Sequence, residues 1–143
     1  MIRSIAALAM ISPFLLAACN LEKADRPSAE DAASTQLQVE EWVVASIGGE
    51  AVIANSRAKL LFGADGQLSG NASCNRLIAS YTVDGEGMTI TPSGATMMAC
   101  EPEAMDQERR LLGLLETVDT YHIDEFGTLV LASASGGQIT ARR

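Results

Sequence analysis

From Gln38 onward, short apolar runs alternate with glycine-bearing turns, and this rhythm constrains the fold more than any other feature. Residues 41–47 (EWVVASI) end at Gly48-Gly49, and residues 58–62 (AKLLF) end at Gly63-Ala64-Asp65-Gly66 before residues 67–70 resume. Residues 77–83 (LIASYTV) end at Asp84-Gly85-Glu86-Gly87, and residues 88–91 resume. Residues 121–123 precede Asp124-Glu125-Phe126-Gly127, residues 128–131 follow, and Gly136-Gly137 introduces residues 138–141. Asp-Gly and Gly-Gly between such runs mark hairpins, because those residues accept the positive φ that tight hairpin turns need. The pattern predicts an antiparallel meander of about eight or nine short strands. So many short strands curl or close to protect their edges. The expected class is therefore mainly β (α+β), a small, partly open antiparallel β-barrel or meander.

One segment breaks the rhythm. Residues 102–118 (PEAMDQERRLLGLLETV) contain no turn residue except Gly113. Pro102 suits a first helical position, and Glu103 and Asp106 suit the positive end of a helix dipole. Ala104, Leu111, Leu115 and Val118 fall at helical spacing, so one helix is expected there, packed on one end of the sheet. Gly113 either marks close contact with a strand or merely weakens an exposed turn. Glu108 is expected on the same face as Leu111 and Leu115, and an acid inside an apolar stripe must find donors or lose its charge. It reads either as a perturbed acid at a site or as a tie between helix and sheet through loop N–H groups or an arginine such as Arg76.

The N-terminus carries an address. Arg3 precedes an apolar run over residues 5–16, followed by Leu16-Ala17-Ala18-Cys19. Small residues before the cut are the mark of a secretory signal, and a cysteine directly after them is the pattern of a bacterial lipoprotein. The run is too short for a spanning helix, which needs roughly 20 residues. Residues 1–18 are thus expected to be removed and Cys19 to be lipidated. Asn20 replaces the aspartate that commonly retains such proteins at the inner membrane. The expected location is the cell envelope, at the outer membrane facing the periplasm in a host with two membranes. Residues 19–37 are polar, rich in Ala, Ser and acids, and contain Pro27. They read as a flexible stalk, or alternatively a short helix, ahead of a domain over residues 38–143.

Loss of the leader leaves 125 of the 143 residues, with nine Lys/Arg against eighteen Asp/Glu. An acidic chain of this kind lacks the electrostatic footprint of a nucleic-acid binder. One Trp and two Tyr in the whole sequence do not furnish a stacking platform for sugars or bases. With Cys19 assigned to lipid, Cys74 and Cys100 remain. Three readings apply to them. A structural disulfide fits an oxidising compartment and would contribute roughly 3–4 kcal/mol. The others are two buried thiols, or a reactive or metal-binding pair. Zinc sites want more Cys or His at short spacing, and His122 is the single histidine. No G-x-S-x-G or phosphate-loop pattern occurs. No cofactor, metal or catalytic residue is assigned. Asn71-Ala72-Ser73 matches a glycosylation pattern by chance.

Several residues stand in a familiar order: Trp42, Leu60-Leu61-Phe62, Asp65-Gly66, Ser73-Cys74-Asn75, Tyr81, Thr96-Met97-Met98-Ala99-Cys100, Glu108 and Leu129–Leu131. Over about residues 40–142 this resembles the META/HslJ domain family, whose hallmarks are a Gly-Cys-Asn turn, a Thr-x-Met-Ala-Cys segment and a following Glu. Ser73 stands where the family usually has Gly. The resemblance implies a small, partly open β-barrel with one helix, similar at fold level to the pilot lipoproteins of type III secretion. It also implies association with heat shock, novobiocin resistance and, in some lineages, secretion or virulence, with no enzymatic activity established for the family as a whole. Cys74, Asn75, Thr96, Met98, Cys100 and Glu108 carry over as structural motif positions.

The leading expectation is a non-enzymatic envelope lipoprotein, a binding or stress-response module held at a membrane by its lipid. Its partner would be an envelope protein or a small apolar ligand, and not nucleic acid. Met88, Met97, Met98 and Met105 offer either an adaptable apolar surface or core filling. A second expectation is an inhibitor or chaperone-like partner of secreted proteins. A third is a thiol-dependent enzyme.

Overall fold

The chain reverses at residues 63–66 because Gly66 takes φ +79° and the Asp65 carboxylate accepts the Gln67 N–H. Comparable reversals follow along the sequence, and the runs between them pair as strands. A computed structural model describes residues 29–143. The leader, Cys19 and the first part of the expected stalk lie outside the described residues.

The elements in order are α1 (Ala29–Gln38), β1 (Trp42–Ile47), β2 (Glu50–Ala51), β3 (Lys59–Phe62), β4 (Gln67–Asn71), β5 (Arg76–Asp84), β6 (Gly87–Ala95), α2 (Pro102–Leu115), β7 (Thr120–Ile123), β8 (Leu129–Ala132) and β9 (Gln138–Arg142). All nine strands form one antiparallel sheet in the order β2-β1-β3-β4-β5-β6-β7-β8-β9, and a further β1–β9 pairing closes a ring of hydrogen bonds. The ring is thinnest between β6 and β7, where the register is the single pair Gly87–Thr120. Two flanking backbone bonds, Met88 N–H to Asp119 O and Tyr121 N–H to Glu86 O, reinforce that seam. The meander expected from the turns is therefore present, with a weak side. β2 was not expected; it is a two-residue lip on β1.

Alternate residues point inward along β1, β3, β5, β8 and β9. Trp42, Leu60, Phe62, Leu68, Leu129 and Ile139 have no accessible surface at all. A side chain with none touches no water-sized void, so the ring is filled by its own side chains and not hollow. Gly70 lets two strands close up, since a Cβ there would lie 2.0 Å from the Lys59 carbonyl oxygen. Phe62 and Tyr81 meet edge to face at 5.0 Å between ring centroids.

The helices cap opposite ends. α1 sits where β1 begins. Leu37 is fully buried, the Trp42 indole donates to the Leu37 carbonyl at 2.9 Å, and the Arg143 guanidinium lies 4.3 Å above the Trp42 ring. The stretch read as stalk thus ends in a helix whose last turn belongs to the core, and the boundary expected at residue 37 cuts through α1. Ala, Glu and Gln favour a helix there, and Leu37 supplies the apolar anchor that a stalk would lack. α2 covers the other end, where Leu114 packs against Gly48 and Gly137. It lies within the segment expected to be helical. Pro102 stands at its start, and its buried face is Gln107, Leu111 and Leu115. Gly113 is exposed and a Cβ there would meet nothing, so of its two readings the exposed turn holds.

Candidate functional site

At the α2 end, the tight β4–β5 connection brings the sequence motifs together. Ala72 N–H donates to Asn75 O at 2.8 Å. Inside this reversal Ser73 takes φ +123°, a region that costs an L-residue about 1–3 kcal/mol. Two bonds hold it. Its N–H donates to Asn71 Oδ1 at 2.9 Å, and its hydroxyl accepts Gln107 Nε2 at 2.9 Å.

Glu108 closes on the same turn from α2. Its Oε2 accepts Cys74 N–H at 3.1 Å and Asn75 N–H at 2.6 Å, and its Oε1 accepts the Asn75 side-chain amide at 2.8 Å. These donors are the loop N–H groups considered for it; no ion pair joins it to Arg76. Both carboxylate oxygens are engaged by the turn, which is the arrangement of a tie between helix and sheet.

Asn75 extends the network to the segment after β6. Its Oδ1 accepts Met98 N–H at 2.6 Å and the Thr96 hydroxyl at 3.1 Å, and its Nδ2 donates to Met98 O at 3.4 Å. Thr96 Oγ1 also accepts Arg76 N–H at 3.0 Å. Cys74 and Cys100 form a disulfide with 6.0 Å between their Cα atoms. Cys74, Asn75, Thr96, Met98, Cys100 and Glu108 therefore form one contiguous cluster. Cys19, the remaining candidate residue, lies outside the described residues. His122 is on β7, at the other end of the sheet.

One functional residue escaped the sequence reading. Gln107 is completely buried, and every polar atom of its amide is used. Oε1 accepts Ile53 N–H at 2.7 Å, while Nε2 donates to Ser56 Oγ at 2.7 Å and to Ser73 Oγ. The available signal was its spacing of four to Leu111 and of eight to Leu115, which places Gln107 at the centre of the buried stripe and Glu108 at its edge.

The network holds the loop but not its methionines. Among the four, Met88 is core, whereas Met97 is 98% exposed, Met98 57% and Met105 42%. A depression of about 400 Å³ opens beside the disulfide, lined in part by Asn55, Arg57, Ser73, Met98 and Glu101. Asn55 (φ +61°) and Ser73 are the two non-glycine residues with positive φ among the described residues, and both line it. Backbone strain of this kind persists where surrounding contacts over-determine it, and such places cluster at functional sites.

A family model of the META domain matches residues 35–143. The chain belongs to the META domain family. The match begins within α1, in agreement with Leu37 as a core residue of the domain. No curated protein matches the chain. Among solved structures, the META chain is similar to a protein from Burkholderia xenovorans determined by NMR, at 23% identity and a TM-score of 0.62, over 99% of this chain and 98% of that one. A second NMR structure aligns at 22% identity and a TM-score of 0.57, over 75% and 92% of the two chains. A DUF4847 family protein from Bacteroides vulgatus, solved by crystallography, aligns at 18% identity and a TM-score of 0.51, over 60% and 58%. At these identities the likeness concerns the fold alone.

Proposed function

We propose that this META domain is a non-enzymatic binding module of the cell envelope, tethered by lipid at Cys19, whose contact surface is the loop from Thr96 to Cys100. The observation that carries the reading is a contrast within that loop. Its backbone is fixed by Asn75, by Thr96 and by the disulfide, while Met97 and Met98 project into water. Fixing a loop in advance lowers the ordering cost of binding, and exposed methionines adapt to apolar partner surfaces. The tether fits this geometry. It would join at α1, on the end of the sheet opposite the loop, so the loop would face away from the bilayer. The filled interior favours a protein partner on the outside over a small apolar ligand within. The same braced loop also suits the second reading, an inhibitor or chaperone-like partner of secreted proteins. Both cysteines are spent in the bridge, so a thiol-dependent reaction would first require its reduction.

The test is a photocrosslinking residue placed in intact cells at Met97 or, as a control on the opposite end, at Phe126, which is 85% exposed. The expected result is a discrete adduct from Met97 only, lost on Met98→Asp, with Cys19→Ser releasing the protein from the lipid-modified membrane fraction. Equal labelling from both positions, or none from Met97, rejects the loop as the contact surface.

A further inference from the structure

The outer face of β9, β1, β3, β4 and β5 differs in charge from the rest of this acidic chain. Register aligns Arg142 with Val43, Val43 with Lys59, Lys59 with Asn71 and Asn71 with Arg76. These residues form one lateral row on the solvent side of the sheet. Strands β1, β3, β4 and β9 contain no Asp or Glu, and the chain as a whole carries a net charge of −8. Arg57 adjoins the row, and a depression of about 410 Å³ is lined by Val43, Ser56, Arg57, Ala58, Lys59 and Asn71.

Internal hydrogen bonds fix what this depression can offer a ligand. Asn71 Oδ1 is engaged by Ser73 N–H, which leaves the Asn71 NH₂ as its outward group. Ser56 Oγ accepts from both Gln107 Nε2 and Ala58 N–H, which leaves its O–H to donate. Arg57 and Lys59 can only donate. Arg57 and Arg76 have no carboxylate at ion-pair distance among the described residues. The polar side chains lining the depression therefore present donors, and two of them carry positive charge. One carboxylate competes, since Glu41 pairs with Lys59 at 2.9 Å, with both side chains 45% exposed. An exposed pair of this kind is weak.

We infer that this depression is an anion site for a phosphate group, with Arg57 and Lys59 supplying charge, and Asn71 and Ser56 supplying directed donors. The phosphate would belong to a soluble ion or to the headgroup of an acidic phospholipid. Ser56 and Arg57 also line the depression beside the disulfide that Met98 borders, but the site's donors are independent of the reading of the methionine loop. Asn71→Asp is the decisive variant, because a carboxylate still accepts the Ser73 N–H but no longer donates outward.

The test uses the isotope-labelled full chain in non-ionic maltoside micelles, read by NMR at the Asn71 side-chain amide and the Arg57 Nε–H. One arm adds inorganic phosphate; the other adds phosphatidylglycerol to the micelles. Saturable shifts at both groups are expected in at least one arm, and the responding arm identifies the source. Asn71→Asp is expected to weaken binding about tenfold or more, through loss of one charge-assisted bond and gain of a repelling charge. Glu41→Gln is expected to tighten it about two- to threefold by freeing Lys59. No shift in either arm overturns the inference, as does binding that neither variant changes.

Discussion

Replacing Glu108 by Gln tests whether the carboxylate or merely the side chain's shape holds the turn. One oxygen accepts two backbone N–H groups and the other accepts the Asn75 amide. A glutamine has one oxygen and one NH₂. In either orientation its NH₂ faces a donor: Asn75 Nδ2 in one case, the Cys74 and Asn75 N–H pair in the other. A bond to a charged group contributes about 1.5–3 kcal/mol, and a stranded donor costs about 1–3 kcal/mol. Loss of one or two such bonds, with water reaching part of the half-buried site, gives an expected destabilisation of about 2–4 kcal/mol for Glu108→Gln. That is a large share of the 5–15 kcal/mol by which domains of this size are stable. Urea unfolding followed through the single, fully buried Trp42 is a suitable assay. The midpoint should fall while the slope with urea stays constant, since the folded and unfolded surfaces are unchanged. A Glu108→Gln protein within about 0.5 kcal/mol of the parent would refute the reasoning, because surface substitutions away from special features fall in that range. Asn75→Ala should also be strongly non-additive with Glu108→Gln, since the two residues share bonds.

Three further outcomes follow from the same geometry. Ser73→Ala and Ser73→Gly both remove the acceptor of Gln107, but only alanine keeps a Cβ at φ +123°, so Ser73→Ala should be the less stable by about 1 kcal/mol or more; equal stabilities of the two variants would show that the backbone there is not strained. Joint replacement of Cys74 and Cys100 by Ala should lower stability by about 3–4 kcal/mol in the chain-entropy model, measured by the same urea titration on oxidised parent and variant. Asp124 accepts backbone N–H groups from Thr128 and Phe126, and these bonds, with the field of Arg142, hold its carboxyl below the usual carboxylate range. A depressed folded pKa contributes stability that is present above the unfolded value and is lost as pH falls through the folded one. Asp124→Asn should accordingly flatten the decline of stability below about pH 4, and an unchanged acid limb would discount these bonds.

Much of the fold was readable because its turns are local. Gly66, Gly85, Gly127 and Gly136 adopt positive φ where the hairpins were expected, and a hairpin joins neighbours in sequence. Closure was less readable. The β1–β9 pairing joins residues almost a hundred positions apart, and no local signal names the partner of an edge strand. α1 was legible only as the alternative to a stalk: its composition is that of a solvated segment, and its ties to the domain, the buried Leu37 and the bond from Gln38 to the Tyr81 hydroxyl, sit in its last turn. In the site, the motif residues were legible as a set, but their bonding was not. Sequence could not say that Glu108 faces backbone N–H groups and not Arg76, because that depends on how α2 is rotated over the sheet. Gln107 decides that rotation, and a single amide inside an apolar stripe is easily read as a helix residue facing solvent.

Ser73 shows how a departure from a family pattern is made tolerable. A glycine at φ +123° would relieve the backbone but offer no side chain. The buried Gln107 amide has two N–H groups to satisfy, and it finds them acceptors in Ser56 and Ser73. Its own oxygen is committed to Ile53 N–H, a donor in the irregular segment after β2 that no strand pairs. Removing the Ser73 hydroxyl would therefore strand a donor inside the protein, at a cost of the same order as the strain it relieves. Serine and glutamine make sense here only together. The strain at Ser73 is held in place by α2, so the shape of the depression beside the disulfide depends on how that helix is seated.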